Sequence, residues 1–312
     1  MKKIFFAVVA VVAMASCSKD EVIEVNREQI GFGDVFVDNA TRADYSGPST
    51  LIEQFNVYGT VTGDGNTVAL FGGDGAIVER NNKAYGVAWD CSETEHWIPG
   101  ASYQFEAVVD GTINNGTIAY AIGDDPDSDG VNDLLYAKEV VNNAAADQGI
   151  VKFTFTHLLS KIQFTIANKM AANYSIEVTG ITVGGVTDKG VYTISGDGTW
   201  AKASDAATVA TPLSFGTTDV IASNGNAVAS ETHQILPVEQ TLTVAIAYDI
   251  YYNDGTGAKK IASTTKSGNI PAQTYQKNTV YNITAEIDAK KIQFSVNAVR
   301  GFDSSAGNVT VQ

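Results

Sequence analysis

Histidine, cysteine and basic side chains are scarce in this sequence of 312 residues. It contains 3 histidines, 2 cysteines and 20 lysines plus arginines, against 35 aspartates plus glutamates, which gives a formal net charge of -15. An acidic surface repels phosphate backbones, and no run of Lys or Arg follows the first few residues. We therefore expect no nucleic acid partner.

The sequence motifs of the common enzyme classes are also absent. There is no HExxH, CxxC, GxSxG, phosphate-binding loop or dinucleotide-binding fingerprint. The glycine-rich stretches 62–66 and 71–75 open no predicted helix, so they cannot direct helix N–H groups at a phosphate and are interpreted as hairpin turns. Among 35 acidic residues, no pair stands out as the carboxylates of a glycoside hydrolase. The sequence predicts no enzyme and implies no cofactor.

The few thiol and imidazole groups form no convincing site. Cys91 and His96 are close in the sequence and would make a thiol and its base, but no third group that orients them is identifiable. A zinc site joining Cys91 to the three histidines has no supporting ligand spacing. His157 shares strand parity with Phe155, which predicts a hydrogen-bonded histidine in the core or at its rim rather than a metal ligand.

One acidic stretch resembles a calcium loop. The sequence DDPDSDGVND, residues 124–133, places aspartates at positions 1, 3, 5 and 9 of an EF-hand-like loop and a glycine at position 6; these are Asp125, Asp127, Asp129, Asp133 and Gly130. Position 12, where calcium requires a bidentate Glu, is Tyr136, and no flanking helices are predicted. A turn is therefore the favoured interpretation, and calcium binding is the alternative.

Long apolar runs are limited to the N terminus. The cationic residues MKK precede IFFAVVAVVAMA, residues 4–15, which is too short for a comfortable membrane span. This arrangement is typical of an export signal. No later apolar run approaches the roughly 18 residues that a spanning helix needs.

A cysteine at the end of this signal indicates how the exported chain is anchored. The sequence MASCSKDE resembles a bacterial lipobox, with Met14 in place of the preferred leucine and Cys17 as the residue that is acylated and becomes the new N terminus. Several acyl chains anchor a protein on a membrane without spanning it. The residues SKDE also resemble the signal that directs Bacteroidetes lipoproteins to the outer face of the outer membrane. The alternative is an ordinary secretory signal, and lipidation of Cys17 would leave Cys91 without a disulfide partner.

Almost all of the remaining chain has the pattern of short β-strands. In the first half, five segments are rich in β-branched and aromatic residues and are bounded by Gly, Asn or Asp, namely 30–37, 52–61, 103–109, 134–140 and 151–158. In the second half, five more follow at 176–186, 190–200, 242–252, 278–287 and 291–299. The turns between them include SGDG at 195–198 and NDGTG at 253–257.

This pattern predicts an all-β protein with two tandem β-sandwich domains. We assign residues 1–16 to the signal peptide, 17–48 to a leader, 49–168 to an N-terminal sandwich and 169–312 to a C-terminal sandwich. The boundary is placed at ANKMAANY, residues 167–174, where apolar alternation lapses. The strand that contains Phe153 and Phe155 and the next, with Phe164, are expected to form a hairpin over an apolar core.

Three tryptophans raise the possibility of a sugar-binding surface. Trp89, Trp97 and Trp200 would form an aromatic platform for glycans on a surface lipoprotein of a nutrient-capture system. Core packing is the competing explanation, since large aromatic side chains usually bury most of their area.

The order of these features resembles the fimbrillin family of Bacteroidales, the type V pilins and their anchor or tip companions. The resemblance is carried by the lipobox at Cys17, an early strand followed by ATRAD, and the segments 97–109, 133–137, 155–166 and 292–303. It implies transthyretin-like, Greek-key sandwiches, attachment to the outer membrane through lipid, other pilin subunits as partners and a role in adhesion. The adhesion ligand and the place of the chain as shaft, anchor or tip subunit stay open.

The resemblance also implies a processing site. In the family, an arginine- or lysine-specific protease removes the N-terminal segment together with one strand of the first sandwich. Arg42 occupies the matching place, and residues 30–37 would be the strand removed. The C-terminal residues 305–312, with Val309 and Val311 on one face, are a candidate donor strand, or else the last strand of the second domain. An uncut linker arginine is the alternative for Arg42.

Overall fold

The structure is a computed structural model that describes residues 28–37, 52–80, 89–122, 133–145, 148–300 and 309–310. The described strands are β1 (Phe32–Val37), β2 (Gln54–Gly63), β3 (Asn66–Ala69), β4 (Ala76–Arg80), β5 (Trp89–Cys91), β6 (Ser102–Val109), β7 (Thr117–Ala121), β8 (Leu135–Val141), β9 (Val151–His157), β10 (Ser160–Asn168), β11 (Tyr174–Gly184), β12 (Lys189–Thr193), β13 (Thr199–Lys202), β14 (Leu213–Phe215), β15 (Asn226–Ile235), β16 (Glu239–Asn253), β17 (Ala258–Thr274), β18 (Thr279–Ile287), β19 (Ile292–Arg300) and β20 (Val309–Thr310). A single 3-10 turn, Phe71–Gly73, is the only helical element in these ranges.

The predicted all-β class is confirmed. Each of the ten predicted strand segments overlaps at least one observed strand, and the apolar alternation places Phe153, Phe155 and Phe164 in the core as expected. Within the described ranges, no helix is long and apolar enough to cross a membrane.

The first half is built from one strongly curled sheet. Its strand order is β1-β9-β8-β6-β2-β4-β5, with β3 paired to β2. In a flat sheet, β1 and β2 would lie about 19 Å apart, four strand spacings. The rings of Phe32 in β1 and Phe55 in β2 are nevertheless only 6.4 Å apart between centroids. The sheet therefore curls until its two ends face each other over one core, as the two layers of a β-sandwich do.

The second half is a sandwich of two sheets. One sheet has the order β15-β10-β18-β19-β20 and the other β14-β11-β16-β17. Alternating side chains of both sheets fill a single buried cluster between them. Phe164 in the first sheet and Phe215 in the second meet edge to face, with ring centroids 4.9 Å apart.

A small fourth sheet joins the two halves. Its order is β13-β12-β7, so that β7 of the first half pairs with β12 of the second. The indole Nε1 of Trp200 donates a hydrogen bond to the carbonyl of Leu158 over 2.8 Å. A buried cluster lies at this junction and consists of Val108, Ile118, Leu134, Leu158, Leu159, Tyr192, Leu236, Val238 and Val280.

The position of β10 bears on the expected domain boundary. The sequence assigns residues up to 168, which include β10, to the first domain. In the structure, however, β10 pairs with β15 and with β18 in the sheet of the second half. The division at 168/169 and the number of domains remain predictions.

The expected hairpin between β9 and β10 is wrong. β9 pairs with β1 and β8, while β10 pairs with β15 and β18. The chain changes sheets at Leu158 and Leu159, which are both fully buried in the junction cluster. Burying these two leucines between the halves directs the chain away from a tight turn.

The turns at 62–66, 195–198 and 253–257 connect adjacent strands, as their glycines predicted. In the turn between β12 and β13, Gly196 has a φ of 63° and Gly198 a φ of 71°. The space around them differs. A Cβ on Gly196 would meet nothing within 4 Å, whereas a Cβ on Gly198 would overlap the Tyr192 hydroxyl.

Gly196 and Gly198 give a matched test of how Tyr192 packs at the junction between the halves. Gly196→Ala should cost about 1–2 kcal/mol, the ordinary penalty of a left-handed conformation. Gly198→Ala should cost about 1–3 kcal/mol more because Tyr192 must move. Urea unfolding of both variants measures the difference, and equal costs would contradict the packing of Tyr192 against this turn.

Candidate functional site

Residues 28–37, which we call the leader strand, are held by backbone hydrogen bonds on both sides. On one side β1 runs parallel to β9, and the Val151 N–H donates to the Gly31 carbonyl over 2.8 Å. On the other side, residues 28–30 run antiparallel to residues 95–97. There the Ile30 N–H donates to the Glu95 carbonyl over 2.8 Å and the Trp97 N–H to the Glu28 carbonyl over 3.0 Å. The leader strand therefore fills a slot between two segments.

The inner face of the leader strand is a major part of the first core. Ile30 and Phe32 are 1% and 4% exposed. The ring of Phe32 contacts four other rings, with centroid distances of 5.8 to 6.4 Å; these belong to Phe55, Phe71, Phe105 and Phe153. We call the slot lined by β9, residues 95–97 and these rings the leader groove.

The outer face of the leader strand is covered at one point by Ile150. A Cβ on Gly31 would lie 3.2 Å from Ile150 Cγ2, and one on Gly33 would lie 2.9 Å from Ile150 Cδ1. Both positions therefore suit glycine, because a larger residue would push this side chain away. Phe36, further along the outer face, is 56% exposed.

The other end of the chain lies in the second half. β20 pairs antiparallel with β19 at two positions, Asn297 with Thr310 and Ala298 with Val309. In the isolated chain, part of the candidate donor segment thus forms the edge strand of its own sheet. This pairing is short and leaves the donor alternative open.

The two site residues predicted from the sequence, Cys17 and Arg42, lie outside the described residues. Arg42 belongs to the segment between β1 and β2, so a cut there separates the leader strand from the rest of the chain. Sequence analysis missed the parallel pairing of β1 with β9 and the contact with residues 95–97. The segment 95–97 carries no strand pattern that would have revealed it.

The candidate calcium loop is mostly outside the described residues as well, except for Asp133. Asp133 is 5% exposed, and its Oδ2 lies 2.5 Å from Nδ1 of His157. His157 is buried and hydrogen-bonded, which is one of the two positions that its strand parity predicted. Among the described residues, no three His, Cys, Asp or Glu side chains are grouped as metal ligands. Calcium binding by residues 125–133 remains untested.

Acidic and phenolic groups near this pair have shifted pKa values. Burial, reinforced by the charge of Asp133, raises the pKa of Asp110. Burial, together with Asp110 and Asp133, raises the pKa of Tyr120 to about 12. Tyr120 therefore stays protonated at neutral pH.

The thiol and the other histidines do not form a reactive site. Burial raises the pKa of the Cys91 thiol, which disfavours the nucleophilic thiolate. His233 lies in β15, where its Nε2 is 2.5 Å from the Ser214 carbonyl and its ring packs on Phe215. His96 is exposed beside the leader strand. Nothing in this geometry gives positive evidence of catalysis.

The positions of the three tryptophans favour core packing over the alternative of a sugar platform. Trp97 is 1% exposed and packs edge to face on Tyr103. Trp200 binds Leu158 at the junction, and Trp89 packs on Phe55 with the guanidinium of Arg80 over its ring. Core packing accounts for Trp97, and the two others are engaged at separate places.

Comparison with protein-family models identifies the chain. The model described as "Fimbrillin-like" matches residues 41–299, well over half of the sequence. The chain belongs to the fimbrillin-like family. Membership supports a role for this chain as a pilus-related adhesion subunit at the cell surface. The family consists of structural proteins of fimbriae and adhesion and is not known for enzymatic activity.

Solved structures show the same fold at low sequence identity. A fimbrial protein from Bacteroides vulgatus is 16% identical, with a TM-score of 0.61 over 87% of this chain and 99% of that one. A protein from Bacteroides ovatus assigned to cell adhesion is 14% identical, with a TM-score of 0.57 over 89% and 99%. A comparison with curated proteins gave no match.

The leader strand should contribute strongly to stability through Phe32. Phe32→Ala should lower the free energy of unfolding by about 3–5 kcal/mol, because it leaves a cavity among four rings. Phe36→Ala, on the exposed face of the same strand, should change it by only about 0.5 kcal/mol. Urea unfolding of a chain that starts at residue 18 measures both, and similar losses would show that the groove does not depend on Phe32.

Proposed function

We propose that this protein is a subunit of a cell-surface type V pilus, exported as a lipoprotein through Cys17 and activated by a cut at Arg42. After the cut, the leader strand leaves and a strand of another subunit takes its place. The observation that carries the proposal is the slot that the leader strand fills. It is bounded by hydrogen-bonding backbone on both sides and by four aromatic rings beneath.

An empty leader groove would bind an extended chain strongly. Loss of the leader strand would free the N–H groups of Val151 and Trp97 and the carbonyl of Glu95. Unpaired backbone at a sheet edge is a template for strand addition, and the rings beneath it provide pockets for apolar side chains. Assembly would then restore the missing strand from outside.

A cut at Arg42 would permit exchange because it changes how the leader strand is held. While the chain is intact, the leader strand is tethered and rebinds at high effective concentration. Burial of a side chain such as Ile30 or Phe32 contributes about 1.5–3 kcal/mol. A cut at Arg42 removes the tether, so that the leader strand can diffuse away and a competing strand can replace it.

Sequence order links this step to release from the membrane. Cys17 and the leader strand both precede Arg42. One cut at Arg42 therefore removes the lipid anchor and vacates the groove together. An uncut copy stays anchored with its groove occupied, as an anchor or other accessory subunit would.

Proteolysis of the purified chain tests this proposal. A chain that starts at residue 18, with Arg300→Lys to protect its C-terminal segment, is treated with an arginine-specific protease and run unboiled on a denaturing gel. We expect a new N terminus at residue 43 and a ladder of detergent-resistant multimers. Edman sequencing distinguishes this cut from cuts at Arg27 and Arg80.

Two controls make the outcome specific. Arg42→Gln should abolish both the cut and the ladder, and deletion of residues 305–312 should preserve the cut but abolish the ladder. A cut chain that remains monomeric would refute strand exchange, and a chain that resists the protease at Arg42 would favour an anchored accessory subunit.

Lipidation is tested separately in cells of a lipoprotein-exporting bacterium. Cys17→Ser should abolish labelling with radioactive palmitate and move the protein from the membrane fraction to the soluble fraction, because no acyl chain can be attached. Cys91→Ser is the matched control and should leave labelling unchanged. Equal labelling of both variants would mean that Cys17 is not the lipidated residue.

A further inference from the structure

Strand β17 forms a long edge of the second sandwich. It runs over 17 residues, Ala258–Thr274, and stands last in the sheet order β14-β11-β16-β17. Within the described ranges it pairs only with β16. Its other side therefore presents a row of backbone N–H and C=O groups about 55 Å long. Such an edge is a template on which a second copy of the chain can add its own strand.

One lysine of this strand lies on the core face of the sheet. Lys266 is opposite Ile246 in the register of β16 and β17, and residues directly opposite each other share a face. Ile246 is fully buried, so Lys266 occupies a position where an apolar residue would normally stand. Its Nζ donates a hydrogen bond over 3.4 Å to the carbonyl of Asp288, in the connection between β18 and β19 of the other sheet.

The edge is also irregular near both of its ends. β17 has one residue more than β16 at Ile261 and again at the pair Pro271 and Ala272, so it bulges at two places. Bulges twist an edge strand away from the flat geometry that a further strand needs. Of the 6 prolines in the chain, Pro271 alone lies within a described strand. Proline has no N–H to offer to a neighbouring strand.

A second strand beside β17 would trap the charge of Lys266. While the edge is free, the half-buried side chain can keep its ammonium group in contact with solvent around the edge of the sheet. An added strand would close this exit and leave a charged group against the apolar core. That costs far more than a backbone hydrogen bond returns. Inward-pointing charges, prolines and bulges are the means by which natural sheets avoid pairing edge to edge.

We propose that Lys266, Pro271 and the two bulges form an edge guard that prevents β17 of one subunit from pairing with β17 of another. The edge guard keeps subunits from associating side by side through the second half. This inference does not depend on the cut at Arg42 or on exchange of the leader strand, since the β17 edge is present in the intact chain. In a fibre, its consequence is that subunits do not add sideways through this edge.

Self-association of the uncut chain that starts at residue 18 tests the edge guard. Lys266→Val together with Pro271→Thr should produce a dimer, with a dissociation constant lowered roughly tenfold or more relative to the unsubstituted chain. Sedimentation velocity at several protein concentrations measures this change. Hydrogen–deuterium exchange should show new protection of β17 amides in the dimer, because they become paired across the interface.

Three matched variants make the result specific. Lys266→Arg with Pro271→Thr keeps a charge on the core face and should form less dimer than the Lys266→Val pair. Thr265→Val adds the same apolar residue to the opposite face of β17, where Thr265 pairs with the partly exposed Ala247, and should stay monomeric. Lys290→Val removes one positive charge outside β17 and should also stay monomeric.

The outcomes decide between the edge guard and simpler explanations. A folded double variant that stays monomeric would overturn the inference, as would equal dimerisation of Thr265→Val or Lys290→Val. Dimers without new protection of β17 would show that the contact lies elsewhere and would reject it as well. If the double variant does not fold, Lys266→Met and Pro271→Thr are measured singly, and monomers in both would refute the edge guard. Failure of the proposed strand exchange would leave all these results unchanged, because the chain is never cut.

Discussion

The first half of this protein depends on the burial of one strand at the open edge of a curled sheet. Phe32 brings together rings from β2, β6 and β9, and Ile30 lies beside it with almost no exposure. An eight-stranded sheet that wraps around its own core has two edges that must be closed. The leader strand closes one of them by pairing with β9 and with residues 95–97. The core is therefore complete only while a strand occupies this slot.

The dependence of the first core on the leader strand is compatible with the proposed removal of that strand, because the leader strand comes from the N-terminal end of the described chain. A strand attached through a single segment can leave without cutting through the rest of the sheet. The second half has its own sandwich core between two sheets, which includes no residue of the leader strand. In the proposed strand exchange, the second half would remain folded and carry the C-terminal segment.

The family comparison shows how little sequence this architecture requires. The Bacteroides vulgatus protein has the same fold at 16% identity. Such divergence is expected of cores whose requirement is an alternation of apolar and polar residues with suitable turns, since many side chains of similar volume satisfy it. Positions where no Cβ fits, such as Gly198 beneath Tyr192, have far fewer substitutes.

The sequence by itself determined the all-β class, the long core strands and the buried faces of β9 and β10, because a strand buried on one face needs an apolar residue at every second position. It did not reveal β17, whose residues are mostly exposed polar side chains on an edge strand and show little apolar alternation. Only the tertiary structure decided which strands pair. The chain leaves β9 for another sheet because Leu158 and Leu159 are buried at the junction, and residues 95–97 bind the leader strand through backbone groups that every residue carries. Partner choice of this kind depends on contacts between distant segments, which local patterns do not encode.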